Sequence, residues 1–209
     1  MKKVLDIMNF RIIFLILIAV TACNQDGDSN HWKPLFDGKT LNGWHKVPGG
    51  KWTAENGVII GTSPKEEERH GILLTDQRYR NFNLRLNFKA LKGNSGLYFR
   101  VDTVASKVSV NGFQAEIDEL KDIGGLYETG GRAWVVQPSA EEVQKYFKVH
   151  DWNEMIVSAK DRYVTVYING IKTAELVNDP GRLEGHIGLQ LHGNMEMHVM
   201  FKDIEIQAL

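Results

Sequence analysis

The sequence predicts an all-β fold, a two-sheet β-sandwich, and three features point there. Apolar and polar residues alternate over much of the chain, which is the two-residue period of a strand with one buried face. The alternating runs are short and stop at glycine-containing turns, with Asn169-Gly170 the clearest hairpin signal. No stretch carries the 3.6-residue period of a long amphipathic helix, so the apolar faces must be buried sheet against sheet.

The first 22 residues stand outside that sandwich. "MKKVLDIMNFR" is a short basic segment, and "IIFLILIAV" (Ile12 to Val20) is an apolar run too short for a bilayer core, which needs about 20 residues. Together they read as a secretory signal. The run ends in Val20-Thr21-Ala22-Cys23, which resembles a bacterial lipobox, so residues 1–22 are expected to be a lipoprotein signal peptide and Cys23 the lipidated residue. Cys23 is the single cysteine, so no intramolecular disulfide can form. Residues 23–30 are polar and acidic and read as a tether. Residues 31–209 form the domain, long enough for one sizeable core. The expected location is the outer membrane of a Gram-negative-type bacterium, on its periplasmic side or at the cell surface, held by the lipid anchor alone. Residues 1–22 carry a surplus of two positive charges, so removing them takes the formal charge from −1 to −3. No basic block is present, which argues against a nucleic-acid partner.

Along the domain, "PLFDGKTLNGWH" offers Phe36, Leu41 and Trp44 to tie the N-terminus to the sandwich, with Asp37-Gly38 as turn chemistry. "WTAENGVIIG" and "NEMIVSAK" read as strands. In "NLRLNFKAL", Leu84, Leu86 and Phe88 share one face. "GLYFRV" sets Leu97, Phe99 and Val101 against Tyr98 and Arg100. "VTVYING" sets Val164, Val166 and Ile168 against Thr165 and Tyr167, and "GLQLHG" sets Leu189 and Leu191 against Gln190 and His192. In the last strand the parity of Met195, Met197, Val199 and Phe201 shifts before Ile204, as a bulge would make it do. "SAEEVQKYF" is the helical exception, with Ser139 and Glu142 spaced as a capping box.

The polar faces point to the chemistry. In "QAEIDE", Gln114, Glu116 and Asp118 share a side. With Tyr98, Arg100, Gln190 and His192 they make the planar hydrogen-bonding groups and aromatic ring that a sugar site uses. "GGLYETGGRAWVV" places Tyr127 and Trp134 either on an aromatic rim or in a plain hairpin. Carboxylates at i and i+2 have Cα atoms about 6.5–7 Å apart, which fits both retaining and inverting glycosidase geometry. The site is read as metal-free and cofactor-free, with a divalent cation such as calcium on the carboxylate pair as the alternative. His70 has no evident partner in the sequence. HExxH, CxxC, P-loop and GxSxG motifs are all missing.

The blocks "PLFDGKTLNGWH", "WTAENGVIIG", "NSGLYFRV", "GFQAEIDE", "GGLYETGGRAW", "DWNEMIVSAKDRYVTVYINGIKTAELVND" and "GHIGLQLHG" resemble, in this order, the 3-keto-disaccharide hydrolase family. The resemblance implies a concanavalin A-like jelly roll of two antiparallel sheets with its site on the concave sheet. It also implies an oxidised disaccharide or glycoside substrate, ketonic at C3, supplied by an upstream glycoside 3-oxidase. Many relatives carry Glu first and Gln second on the acidic strand. Here Gln114 precedes Glu116, so the position of the catalytic carboxylate is not carried over. The chemistry implied is removal of the C2 proton followed by elimination at C1, with or without addition of water. Glu116 and His192 are expected as base and acid, with Asp118 orienting or sharing the role. Arg100 is expected to face the developing oxyanion. Gln114, Gln190 and Tyr127 would hold hydroxyls, Trp134 would stack, and Tyr98 would bind substrate. A non-catalytic carbohydrate-binding lipoprotein using the same groove is the main alternative. A conventional glycoside hydrolase is disfavoured because Leu120 stands where a third carboxylate would follow Asp118.

Overall fold

The computed structural model describes residues 31–106, 108–118 and 120–209. The expected signal peptide, tether and lipidated Cys23 lie outside the described residues. The elements run β1 (Lys33–Pro34), β2 (Trp44–Val47), β3 (Lys51–Glu55), β4 (Val58–Ser63), β5 (Gly71–Tyr79), β6 (Phe82–Lys92), β7 (Ser95–Thr103), β8 (Val110–Ile117), β9 (Leu126–Thr129), β10 (Ala133–Val136), α1 (Ala140–Val143), β11 (Asn153–Lys160), β12 (Tyr163–Ile168), β13 (Ile171–Leu176), β14 (Gly185–Leu191) and β15 (Met197–Ala208).

These strands form two antiparallel sheets. One has the order β13-β12-β11-β6-β15-β4-β3, with β1 added to β15, and the other the order β10-β9-β8-β7-β14-β5-β2. The core between them is made by the residues whose alternation marked them as inward. From the first sheet come Leu84, Leu86 and Phe88 of β6, Val164, Val166 and Ile168 of β12, and Val199 and Phe201 of β15. From the second come Leu97 and Phe99 of β7, Phe113, Ala115 and Ile117 of β8, and Leu189 and Leu191 of β14. Phe99 stacks on Phe113, and Phe88 on Phe147. A second, smaller apolar cluster (Ile72, Leu74, Tyr98, Val101 and Val110) covers the opposite, outer face of the second sheet.

Local signals act as the sequence implies. Asp37 accepts hydrogen bonds from the Lys39 and Thr40 amides, and Trp44 donates its indole N–H to the Leu35 carbonyl at 2.7 Å. The helix is a single turn, closed by the Ser139–Glu142 capping box. In β15 the register shifts between Lys202 and Glu205, where Asp203 has φ 51°.

Alternation misplaces one residue in β7. Val101 belongs to the outer cluster and not, as its parity suggested, beside Leu97 and Phe99. The register of β7 with β8 slips between Phe99 and Asp102, and Arg100 has φ 51°. This bulge swaps the faces beyond it. Both neighbours make room with glycine. Gly112 of β8 has φ 134°, and a Cβ on Gly185 of β14 would collide with the Arg100 carbonyl carbon.

Because Phe88 is fully buried and stacked, Phe88→Ala should cost about 3–5 kcal/mol of unfolding free energy. Denaturant melts would measure it.

Candidate functional site

The outer face of the second sheet carries polar residues where its strands end. A cavity of about 560 Å³ opens there, within the size range of small-molecule sites. Its lining includes Asn94, Tyr98, Gln114, Glu116, Asp118, Tyr127, Trp134, Gln190 and His192, together with His70. Strand pairing explains the convergence. Gln114 of β8 lies opposite Tyr98 of β7 and Tyr127 of β9, while Glu116 lies opposite Gly96. Gly96 has no side chain to fill the space that the Gln114 amide occupies.

Hydrogen bonds join these side chains into one network. The Gln114 amide donates to Glu116 Oε2 at 2.9 Å, to Gln190 Oε1 at 3.1 Å and to the Ser95 carbonyl at 3.3 Å. Gln190 Nε2 donates to the Tyr98 hydroxyl at 2.8 Å, and Thr129 Oγ1 donates to the same oxygen at 3.4 Å. Asn94 Nδ2 donates to both carboxylates, Glu116 Oε1 and, at 3.3 Å, Asp118 Oδ2. Gln114, Glu116 and Gln190 are each no more than 4% exposed, so the network is a desolvated floor.

That desolvation sets the protonation states. Burial pushes the Glu116 carboxyl up to about 8; the Asn94 hydrogen bond opposes this, and the charges of Asp118 and Asp122 add to it. At neutral pH Glu116 is therefore mostly a neutral acid. Burial also raises the Tyr98 phenol, so it keeps its proton. His192 Nδ1 lies 2.7 Å from the Gly193 carbonyl oxygen. Nδ1 must carry the proton in that contact, so the lone pair of a neutral His192 sits on Nε2. Beside it, burial lowers His70 to about 4, and a proton placed on the neighbouring His192 would add to that.

Residues 31–207 match the family model described as a 3-keto-alpha-glucoside-1,2-lyase-like domain. The chain belongs to this family. Among curated proteins, a 3-keto-disaccharide hydrolase of Bacteroides thetaiotaomicron is 36% identical over 90 residues, covering 38% of this chain and 31% of that protein. The match thus spans about a third of the relative's length. Two solved structures show the same fold. A candidate glycosyl hydrolase from Parabacteroides distasonis has a TM-score of 0.63 at 22% identity, covering 85% of this chain and 94% of that one. The carbohydrate-binding module CBM66 from Bacillus subtilis has a TM-score of 0.61 at 18% identity, covering 79% and 96%. The sandwich is a concanavalin A-like jelly roll.

In this member of the 3-keto-alpha-glucoside-1,2-lyase-like family, the structure brings together Glu116, Asp118, His192, Gln114, Gln190, Tyr127, Trp134 and Tyr98. Tyr127 and Trp134 are both hairpin and rim, since β9 and β10 pair through them and their rings meet edge-on, 5.4 Å apart, at the cavity wall. Arg100 is the correction. The bulge turns its side chain away from the cavity, and its guanidinium donates to the carbonyls of Arg80, Asp161 and Arg182. It is 1% exposed and ties the strand ends together. Asn94 was missed, although it stands in the turn before β7. His70 has no evident partner in the sequence; the pairing of Gly71 in β5 with Leu191 in β14 makes His70 and His192 neighbours one step further along. Among the described residues no group of three or more His, Cys, Asp or Glu is placed to hold a metal ion, and no helix is long and apolar enough to cross a membrane.

Two outcomes follow. Arg100→Met should destabilise the fold, because the carbonyls of Arg80, Asp161 and Arg182 lose their shared donor at about 1 kcal/mol for each net hydrogen bond, while ligand affinity of the folded protein stays unchanged; melts and titrations separate the two. Glu116 has a folded-state pKa of about 8 against an unfolded value of 4.5. The folded state therefore binds the extra proton between these values, and its stability should fall as pH rises through that window. Glu116→Gln should remove this slope, so the variant gains on the wild type from pH 5 to pH 8 in paired denaturant melts.

Proposed function

We propose that the cavity cleaves 3-keto-glycosides by elimination, with His192 as base and Glu116 as acid. The observation that supports this reading most directly is a buried carboxyl held neutral in the same cavity as an imidazole whose Nδ1 is engaged by the Gly193 carbonyl. Two groups of opposite proton-transfer sense are what an elimination requires.

The chemistry balances over these two groups. A ketone at C3 acidifies the C2–H bond, because the electron pair left behind delocalises as an enolate. His192 Nε2 takes that proton. The pair then forms the C1–C2 double bond as the C1–O bond breaks, and the departing oxygen takes the proton of Glu116. The products are a 2-hydroxy-3-keto-glycal and the free aglycone. When water adds to C1, Glu116, now a carboxylate, takes the water's proton, and His192, whose proton has exchanged with solvent, protonates C2. Both groups are thereby reset, and the sum is hydrolysis.

Arg100 has no part in this. Donors for the enolate oxygen are the Tyr98 O–H, whose oxygen already accepts from Gln190 and Thr129, and the second N–H of Gln190. Gln114 holds Glu116 and Gln190 in register. Asp118 acts through Asn94, which bridges it to Glu116. The right-angled Tyr127 and Trp134 rings offer a sugar face a stacking wall.

Incubation of the purified protein with a 3-keto-glucoside in D₂O should release the aglycone and leave deuterium at C2 of any hydrated product. Glu116→Gln and His192→Ala should each lose about 10²–10⁴-fold in turnover. A leaving group as acidic as nitrophenol should rescue Glu116→Gln alone. A hydrated sugar that keeps only protium at C2 would show direct hydrolysis. Binding without release of the aglycone would show a carbohydrate-binding protein and refute the enzyme reading.

A further inference from the structure

His192 is under-constrained by hydrogen bonds. Among the described residues its hydrogen-bond partner is the Gly193 carbonyl of its own loop. That contact fixes one nitrogen and leaves the ring free to swing about it. The imidazole of His70 packs against it, with ring centroids 4.3 Å apart at 62°, and both rings line the cavity.

The loops that carry the two rings are locked together by backbone. The Asn194 N–H donates to the Glu67 carbonyl at 2.6 Å. A Cβ on Gly193 would collide with the Glu68 carbonyl oxygen. On the His70 side, the Glu67 carboxylate accepts from the Arg69 amide at 3.0 Å and grips its guanidinium at 2.7 and 2.8 Å. His70 Nδ1 itself is buried without a hydrogen-bond partner. A buried polar atom left unpaired costs about 1–3 kcal/mol, so at that atom His70 is held by ring packing and not by polar contact.

We propose that His70 is a positioning residue: its ring, packed edge-on against His192, holds that imidazole in the single orientation that leaves Nε2 to the cavity. The consequence for turnover rests on the reading of His192 as the base; the positioning itself does not. Since the packing needs a ring and not a nitrogen, Phe should replace His70 and Ala should not.

The test uses the full chain and two readouts. Imidazole ¹H–¹⁵N spectra should show His192 as one tautomer, protonated at Nδ1, in the wild type and in His70→Phe, and as an averaged mixture in His70→Ala. With a 3-keto-glucoside, His70→Ala should lose up to about a hundredfold in kcat, the scale of a misplaced group, with KM little changed, and His70→Phe should match the wild type. An unaltered His192 spectrum in His70→Ala would overturn the proposal, as would His70→Phe behaving like His70→Ala. If the spectra change as stated but even the wild type turns over no 3-keto-glucoside, positioning stands and the assigned reaction fails.

Discussion

The site depends on one buried carboxyl. Glu116 lies on a strand whose other face is core, so Ala115 and Ile117 anchor it from below while its own side chain has almost no contact with water. An isolated carboxylate in that position is costly, and the fold resolves the cost by keeping the proton on. Gln114 and Asn94 supply one hydrogen bond to each oxygen of the carboxyl. Strand burial keeps the acid neutral against the pull of the Asn94 hydrogen bond, and the two amides orient it.

The sandwich makes this arrangement possible because only one face of each sheet is spent on the core. The first sheet turns a ladder of exposed and half-buried polar pairs outward, such as Arg85 with Glu205 and Asn83 with Gln207. The second sheet instead has a small apolar cluster on its outer face, next to the polar floor. Ile72, Leu74 and Tyr98 help to exclude water from one side of the network, and the β9–β10 hairpin walls another. The Arg100 bulge belongs to the same construction. It brings Val101 onto the outer face and sends a guanidinium to cap three carbonyls at the far ends of the strands.

Much of this was legible in the chain. Two-residue alternation identifies the inward residues of β6, β12, β14 and β15, the Ser139–Glu142 spacing identifies the helical turn, and the parity shift before Ile204 marks a real bulge. The faces of "QAEIDE" and "GLQLHG" identify five cavity residues. What alternation could not supply was strand order, and that is why His70 lacked a partner until β5 and β14 were seen to pair. Arg100 failed for a related reason. Parity holds only while the ladder is regular, and a left-handed φ at an arginine leaves no mark on its own side chain. The glycines on both flanking strands were the available sign, readable only with the pairing known. Asn94 was hidden because turn asparagines usually serve the turn, whereas this one reaches two carboxylates.

The central claim is that Glu116 is a protonated acid at neutral pH. Infrared difference spectra of the wild type against Glu116→Gln, followed across pH, test it most directly. A carboxylic acid carbonyl band, absent from the variant, should persist at pH 7 and disappear around pH 8. A band lost already near pH 4 to 5, where an unperturbed glutamate titrates, would contradict it.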